Sequence, residues 1–147
     1  MSSPSTPSNP ERFDDRSLGG ILVHPLAMVT AFIGPAVVYA VSDHEFTREN
    51  ARHAFNWHAT VVTLAVVAFV TGFLSADEVT VGGESIDPLS IPAPIDTVLM
   101  FVGVLLLLAT MVAVVATFAY AIIATVKAVS GTAWSYPGAV DIVERFL

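Results

Sequence analysis

The chain has 147 residues, of which 54% are hydrophobic and 13% are charged, whereas an average soluble domain has about 25% charged residues. A soluble fold of this length cannot bury so much apolar surface, so the composition excludes an ordinary soluble enzyme. The net charge of −7 and the lack of a basic cluster argue against nucleic-acid binding, because affinity for phosphate depends on Lys and Arg. The chain contains no cysteine, which excludes disulfides and thiolate metal sites.

The N-terminal part combines a polar tail with an apolar segment. Residues 1–17 begin with a run rich in Ser and Pro and predict a disordered tail. Residues 18–41 contain no charged side chain and are long enough to cross a bilayer. Pro25 and the pair Gly34 and Pro35 interrupt this segment, which predicts a first transmembrane helix that is Pro-kinked or partly re-entrant. Cleavage as a signal peptide after Ala40 is an alternative that the acidic N-terminal region opposes.

Two further apolar segments follow, which gives three predicted transmembrane helices in an all-α integral membrane protein. A polar connector, residues 42–54, leads into the second uncharged run at residues 55–74. The third run, at residues 97–126, has 30 residues and would form a helix of about 45 Å, longer than the hydrocarbon core of about 30 Å. It must therefore tilt, protrude or bend, for which Gly103 is a candidate.

The loop at residues 75–96, between the second and third runs, is acidic. It has five Asp and Glu residues and no Lys or Arg. Short apolar strands on either side of Gly82 and Gly83 predict a small hairpin within it.

The C-terminal tail carries two structural signals. Gly131 predicts the end of the third helix. Beyond Tyr136 and Pro137, apolar positions recur with helical spacing and predict a short amphipathic C-terminal helix. Residues 18–147 are thus expected to form a single helical membrane domain.

The distribution of basic residues predicts the topology. The N-terminal tail, the connector and the C-terminal tail have two Lys or Arg residues each, and the acidic loop has none. The positive-inside rule therefore places the acidic loop outside the plasma membrane and the C-terminus in the cytoplasm. Three full spans put the N-terminus outside, whereas a re-entrant first segment puts all six bases on the cytoplasmic side.

The densest polar cluster lies at the start of the second span. Arg48, Arg52 and Asn56 recur every four residues and share one side of a helix. They indicate a patch that binds lipid phosphate, a partner helix or a peptide, or simply an interfacial helix start with snorkelling bases. Asn56 and His58 lie deeper, where polar side chains usually bond a neighbouring helix, and a proton or ion pathway is the alternative.

No catalytic, metal or cofactor site is predicted. The four His residues lack the spacing of a metal-binding motif, and the sequence contains no nucleophile elbow or phosphate-binding loop. The acidic, Lys-poor composition is similar to that of proteins from halophilic archaea, in which acidic surfaces stay hydrated.

Three motifs carry a family resemblance. The motifs are His24 with Gly34 and Pro35, then the segment from Phe46 to His58 with Ala54, Asn56 and Trp57, then Lys127 and Ala128 with Gly131, Tyr136 and Pro137. In this order they resemble a family of small prokaryotic membrane proteins of unknown function, similar to the Tic-twenty-type subunit of the chloroplast inner-envelope translocon. The resemblance implies a small multi-span helical protein without established catalysis, and a channel or scaffold role.

The function expected from these observations is that of a non-enzymatic interaction or assembly component. Its expected partners are the lipid bilayer and other membrane proteins or further copies of itself. The alternative is a subunit of a small oligomeric transporter or protein-translocation channel, with polar side chains such as Asn56 and His58 lining a pore. If these two side chains bond neighbouring helices or face head groups, the assembly role is favoured, whereas a polar cavity around them would favour the channel.

Overall fold

A computed structural model describes residues 13–76, 78–86 and 91–146, which are mostly helical. The chain divides into two compact units. The first combines residues 1–60 with 116–147, and the second contains residues 61–115. The elements in order are α1 (Leu18–Thr30), α2 (Ile33–Val41), α3 (Glu45–Leu74), β1 (Val79–Val81), β2 (Glu84–Ile86), α4 (Ile95–Val129) and α5 (Ile142–Phe146).

The apolar segment at residues 18–41 forms two short helices instead of one kinked span. The chain breaks at Ala31, which has a φ of 52°, and the hydroxyl of Thr30 accepts a hydrogen bond from the Gly34 amide. Neither helix crosses a bilayer, because the 13 residues of α1 extend only about 20 Å. Pro25 lies inside α1, while Pro35 occupies the first turn of α2, where a missing N–H leaves no bond unmade.

Two helices, α3 and α4, are long and apolar enough to cross a membrane. The expectation of three spans is therefore not confirmed, whereas the predicted second and third runs lie within these helices. The connector at residues 42–54 is helical from Glu45 onward, so that its polar residues extend α3 beyond the apolar run. Large apolar side chains along α4 face outward, with Val112 and Val115 about 70% exposed, as lipid-facing residues are.

The second unit contains the predicted hairpin. Strands β1 and β2 pair antiparallel with Val79 opposite Ile86, and Gly82 and Gly83 have φ values of 62° and 91°. Two successive positive φ values are the signature of the tight turn that glycine favours in hairpins. Gly103 does not break α4, and a Cβ placed there would lie 3.4 Å from the Gly72 amide nitrogen, so it allows close helix packing within this unit.

In the first unit, Gly131 ends α4 as predicted. Its φ is 82°, and the Gly131 and Thr132 amides donate to the carbonyl oxygens of Ala128 and Lys127. This pattern is a Schellman motif, which satisfies the last carbonyl groups of a helix. The predicted short C-terminal helix is present as α5.

The N-terminal tail predicted to be disordered, residues 1–17, lies mostly outside the described residues. Its last part, residues 13–17, is hydrogen-bonded to other residues of the first unit. The Phe13 amide donates to the Gly131 carbonyl oxygen at 2.7 Å, the Arg16 guanidinium donates to the Val129 carbonyl oxygen at 2.6 Å, and Ser17 caps α1 through the Gly20 amide. These bonds connect the start of the described chain to the end of α4.

Candidate functional site

A buried hydrogen-bonded chain lies at the centre of the first unit. His24 on α1 is fully buried, with Nε2 2.9 Å from Asn50 Oδ1 and Nδ1 2.9 Å from the Tyr136 hydroxyl. The Asn50 amide nitrogen donates to the Phe46 carbonyl oxygen at 2.9 Å, so its Oδ1 is the acceptor for His24. His24 therefore carries its hydrogen on Nε2 and accepts at Nδ1 from the Tyr136 hydroxyl.

This arrangement fixes the charge states of the chain. Because burial penalises the charged form, the pKa of His24 is lowered to about 4 and the pKa of Tyr136 is raised above its ordinary value. Both groups are therefore neutral near pH 7. The buried groups are fully paired, which is what a polar network needs to stabilise a core.

Aromatic rings enclose Tyr136. Trp57 stacks on it with ring centroids 5.9 Å apart and planes 11° from parallel, and Tyr120 and Trp134 contact it at 5.8 and 5.4 Å. The Trp57 indole N–H donates to the Thr117 hydroxyl at 2.9 Å. These contacts join three parts of the first unit: α3, α4 and the segment that follows α4, residues 132–146, which we call the C-terminal segment.

Asn56 holds the C-terminal segment against α3. Its amide nitrogen donates to Asp141 Oδ1 at 2.8 Å, and its Oδ1 accepts from the Ile142 and Val143 amides at 3.0 and 3.2 Å. These two amides open α5 and have no acceptor within a helix, so Asn56 caps α5 from another element. One turn further along α3, the Thr60 hydroxyl accepts from the Val140 amide at 3.0 Å.

Arg52 adds an ionic contact to the same segment. Its guanidinium binds Glu144 on α5 and lies 3.7 Å from Asp141. It also bonds Glu49, one turn earlier on α3, at 2.5 Å, and His53 Nε2 lies 3.1 Å from the same carboxylate. Arg52 is thus compensated by three carboxylates and is not available to an external anion.

Arg48 has a different role from Arg52. Its guanidinium lies over the ring of Tyr39 on α2, 4.5 Å from the centroid, and its polar contact is the Ser42 carbonyl oxygen at 3.4 Å. Among the residues that the structure describes, no carboxylate lies within ion-pair distance of Arg48. The predicted patch of Arg48, Arg52 and Asn56 therefore divides into one available cation and two residues that bind the C-terminal segment.

The remaining predicted residues have structural positions. Ala54 is fully buried against the first unit, and Pro35 is among the largest fully buried side chains. Gly34 leaves no room for a Cβ beside Thr30. Lys127 is exposed in the last turn of α4, and Pro137 is exposed just after the buried Tyr136.

Sequence reasoning missed several partners of these residues. Asn50 is fully buried, and the positions of Phe46, Asn50, Ala54 and Trp57 on α3 follow one helical face, a periodicity that identifies Asn50 as inward-facing. The tail residues Asp141 and Glu144 gave no such signal, because an acidic side chain near a C-terminus is ordinarily solvated.

Several of the polar side chains proposed as a pore lining form hydrogen bonds within the protein. Asn56 binds the C-terminal segment, and His58 donates from Nδ1 to the Ala54 carbonyl oxygen at 2.9 Å. The Thr60 and Thr110 hydroxyls donate to carbonyl oxygens one turn earlier on their own helices. Asn56 thus bonds another segment of the protein, whereas His58 bonds its own helix and its buried Nε2 has no hydrogen-bond partner among the described residues. Over residues 13–76, 78–86 and 91–146, no cluster of His, Asp and Glu has the composition of a metal site.

The fold and this site define a small helical membrane protein whose polar core joins its first and last segments. The chain belongs to the magnetosome magnetite crystal formation protein family (MamF/MmsF), which it matches over residues 14–143. No curated protein and no solved structure matches the chain.

The family match corrects the expected resemblance. The predicted similarity to the Tic-twenty-type translocon subunit is wrong, because the matched family is the magnetosome family. The motifs on which that resemblance was based, such as Asn56 with Trp57 and Gly131 with Tyr136, have structural roles within the first unit. These roles give no information about translocation. The match also gives no support to a halophilic archaeal source.

Proposed function

We propose that this protein is a non-enzymatic component of a mineral-forming membrane compartment, where it presents its acidic hairpin to the growing magnetite crystal. The observation that carries this proposal is the family match over residues 14–143. The family is described by its part in magnetite crystal formation, and the segments on either side of the hairpin supply the membrane anchor.

The charge distribution supports this orientation. All six Lys and Arg residues lie in the first unit, and the second unit, residues 61–115, has none. With α3 and α4 as the spans, the positive-inside rule places both termini in the cytoplasm and the hairpin on the opposite side. In a membrane compartment within the cell, the side that faces away from the cytoplasm is the lumen.

The hairpin suits contact with a mineral surface better than binding of a single ion. Glu84 is exposed on β2, and the hydroxyl of Ser85 donates to the carboxylate of Glu78, which is also exposed. The described acids of this region form no closed metal centre. Separated carboxylates on a surface attract hydrated iron cations and concentrate them electrostatically.

The orientation is tested by labelling intact compartments isolated from lysed cells, which expose their cytoplasmic face. The chain has no cysteine, so a Ser85→Cys variant carries one reporter in the hairpin, and a Ser42→Cys variant carries one in the first unit. We expect a membrane-impermeant maleimide to label Ser42→Cys on intact isolated compartments, and Ser85→Cys only after detergent has permeabilised the compartment membrane. The reverse pattern would place the hairpin in the cytoplasm and refute the proposed orientation.

The mineral role is tested by reconstitution. The full chain in lipid vesicles, with the hairpin on the face exposed to iron, is mixed with Fe²⁺ and Fe³⁺ at alkaline pH, and crystal size is measured by electron microscopy. We expect a narrower size distribution than with empty vesicles, and a loss of this effect in a double variant, Glu78→Gln and Glu84→Gln.

A matched variant controls for net charge. Asp14→Asn and Asp15→Asn remove the same number of carboxylates from the first unit. This variant should behave as the unaltered chain. If both double variants change the crystals equally, or if the unaltered chain matches empty vesicles, the hairpin has no specific part in crystal formation.

A further inference from the structure

A polar cavity of ≈ 460 Å³ lies in the first unit beside the beginning of α3. Its walls come from the end of α2, the connection into α3, the first turns of α3 and the C-terminal segment. The lining residues are Tyr39, Asp43, Glu45, Arg48, Glu49, Arg52, Val143 and Glu144. The apolar run of α3 begins at Phe55, only one turn beyond the cavity, so a bilayer crossed by α3 has its head groups at this level.

One cation in this cavity is available to a ligand. Arg52 is bound by Glu49 and Glu144. These carboxylates neutralise its charge, so Arg52 does not make the cavity attractive to an anion. The Arg48 guanidinium is held over the Tyr39 ring at 4.5 Å and has no carboxylate partner within the described part of the chain. An Arg fixed in this way offers its remaining N–H groups to a phosphate oxygen.

The opposite end of the cavity is acidic. Asp43 and Glu45 are exposed and form no ion pair over the described residues. They also line a second cavity of ≈ 490 Å³, to which Asp14 and Asp15 contribute. The field of these carboxylates makes this end attractive to a cation.

We propose that the cavity binds the head group of a phospholipid that carries a primary ammonium, such as an ethanolamine phospholipid. Arg48 donates to the phosphodiester, and Asp43 and Glu45 accept from the ammonium. The unpaired cation faces the negative phosphate of the zwitterionic head group, and the two carboxylates face its positive ammonium. The proposal does not depend on the proposed role in mineral formation.

Other head groups fit the cavity less well. A purely anionic head group would bind Arg48 but would meet four carboxylates in the same wall, Asp43, Glu45, Glu49 and Glu144, against one uncompensated guanidinium. A choline head group has no N–H to donate and is recognised chiefly by aromatic faces, while the Tyr39 ring is already covered by Arg48.

The proposal is tested by lipid binding to the full chain in mild detergent. Native mass spectrometry measures the retention of dioleoyl phosphatidylethanolamine, phosphatidylglycerol and phosphatidylcholine added at equal concentrations. We expect the ethanolamine lipid to bind about tenfold more tightly than the other two, and Arg48→Gln to remove about tenfold of that affinity, as loss of a charged hydrogen bond does.

Three variants separate the proposed site from general effects. Glu45→Gln changes an exposed side chain without a described contact, so it should fold normally and weaken binding of the ethanolamine lipid severalfold. Lys127→Gln removes a base at the end of α4, outside the cavity, and should leave binding unchanged. Near-UV circular dichroism of the Trp57 cluster reports whether Arg48→Gln is folded.

Specific outcomes would overturn the proposal. They are equal or tighter binding of phosphatidylglycerol, a Glu45→Gln variant that binds as the unaltered chain does, or equal losses in Arg48→Gln and Lys127→Gln. Water-soluble glycerophosphoethanolamine provides a further arm. If it binds as tightly as the lipid, the ligand is a free phosphoethanolamine compound and the assignment to a lipid is wrong.

Discussion

The Tyr136 hydroxyl donates to Nδ1 of His24 at 2.9 Å, across 112 residues of sequence. Through His24 the same chain of bonds reaches Asn50 and the Phe46 carbonyl oxygen. The bond therefore connects the segment after the last long helix with the first helix and with the start of α3. It explains why the first unit combines residues from both ends of the chain.

Loss of the Tyr136 hydroxyl should destabilise the first unit. Tyr136→Phe keeps the ring but leaves the buried Nδ1 of His24 without a donor, which costs about 1–3 kcal/mol. We expect a lower midpoint of thermal unfolding in detergent, measured by near-UV circular dichroism. Tyr120→Phe is the matched control, because Tyr120 belongs to the same ring cluster and its hydroxyl makes no hydrogen bond with the described residues. Equal shifts for the two variants would contradict the assigned bond.

The stability of the protein should fall as the pH is lowered from 7 to 4. The folded pKa of His24 is about 4 and its ordinary value is 6.5, so in this window the unfolded chain binds a proton that the folded chain does not. The free energy of unfolding therefore decreases on acidification, by up to about 3 kcal/mol at pH 4. Unfolding is measured at several pH values for the unaltered chain and for His24→Gln, which has no titrating group at this position. Parallel pH profiles would show that His24 does not carry the dependence.

Asn56→Ala should release the C-terminal segment. The variant loses the bond to Asp141 and the acceptor of the Val143 amide, while the Ile142 amide retains only its 2.9 Å bond to the Val140 carbonyl oxygen. A Val143→Cys reporter, at a position only 7% exposed, measures the release through its rate of maleimide modification. We expect a rate increase of about tenfold or more in the Asn56→Ala background. An Arg145→Cys reporter at an exposed position should react rapidly in both backgrounds, and an unchanged Val143→Cys rate would refute the capping role.

A comparison of variants at Gly131 and Gly138 distinguishes backbone strain from steric conflict in the segment after α4. Gly131 and Gly138 have nearly the same φ, 82° and 84°, so an Ala at either position is strained by about 1–2 kcal/mol. A Cβ at Gly131 would also lie 2.6 Å from the Phe13 carbonyl oxygen, whereas a Cβ at Gly138 would meet no described atom within 4 Å. We therefore expect Gly131→Ala to lower the unfolding midpoint more than Gly138→Ala. Equal effects would show that the N-terminal contact does not constrain this turn.

Much of the helical framework was predictable, because uncharged runs and glycine positions have local physical causes. The lengths of the uncharged runs predict the two long helices. The glycine positions predict the hairpin turn at Gly82 and Gly83 and the end of α4 at Gly131, because glycine adopts positive φ without strain. The break at Ala31 was not predictable from the prolines. It depends on a non-glycine residue with positive φ and on the Thr30 hydroxyl, which replaces a backbone acceptor.

The site was predictable only in part. Asn56, Arg52 and Tyr136 were identified as candidates from their positions, but their partners were not, because His24 to Tyr136 and Asn56 to Asp141 are contacts between distant segments. Sequence spacing describes neighbours on one helix. It does not specify which distant carboxylate or hydroxyl completes a buried amide or imidazole.

The bonds formed by Asn56 and Tyr136 also constrain when the first unit can fold during synthesis. During synthesis, α1 and the start of α3 leave the ribosome long before residues 136–143, so the buried acceptors of His24 and Asn56 have no native donors until those residues have been made. A nascent or prematurely terminated chain therefore exposes polar groups and apolar surface that the finished chain covers. Such a product is recognisable to cellular proteases and chaperones, so completion of the first unit depends on residues 136–143.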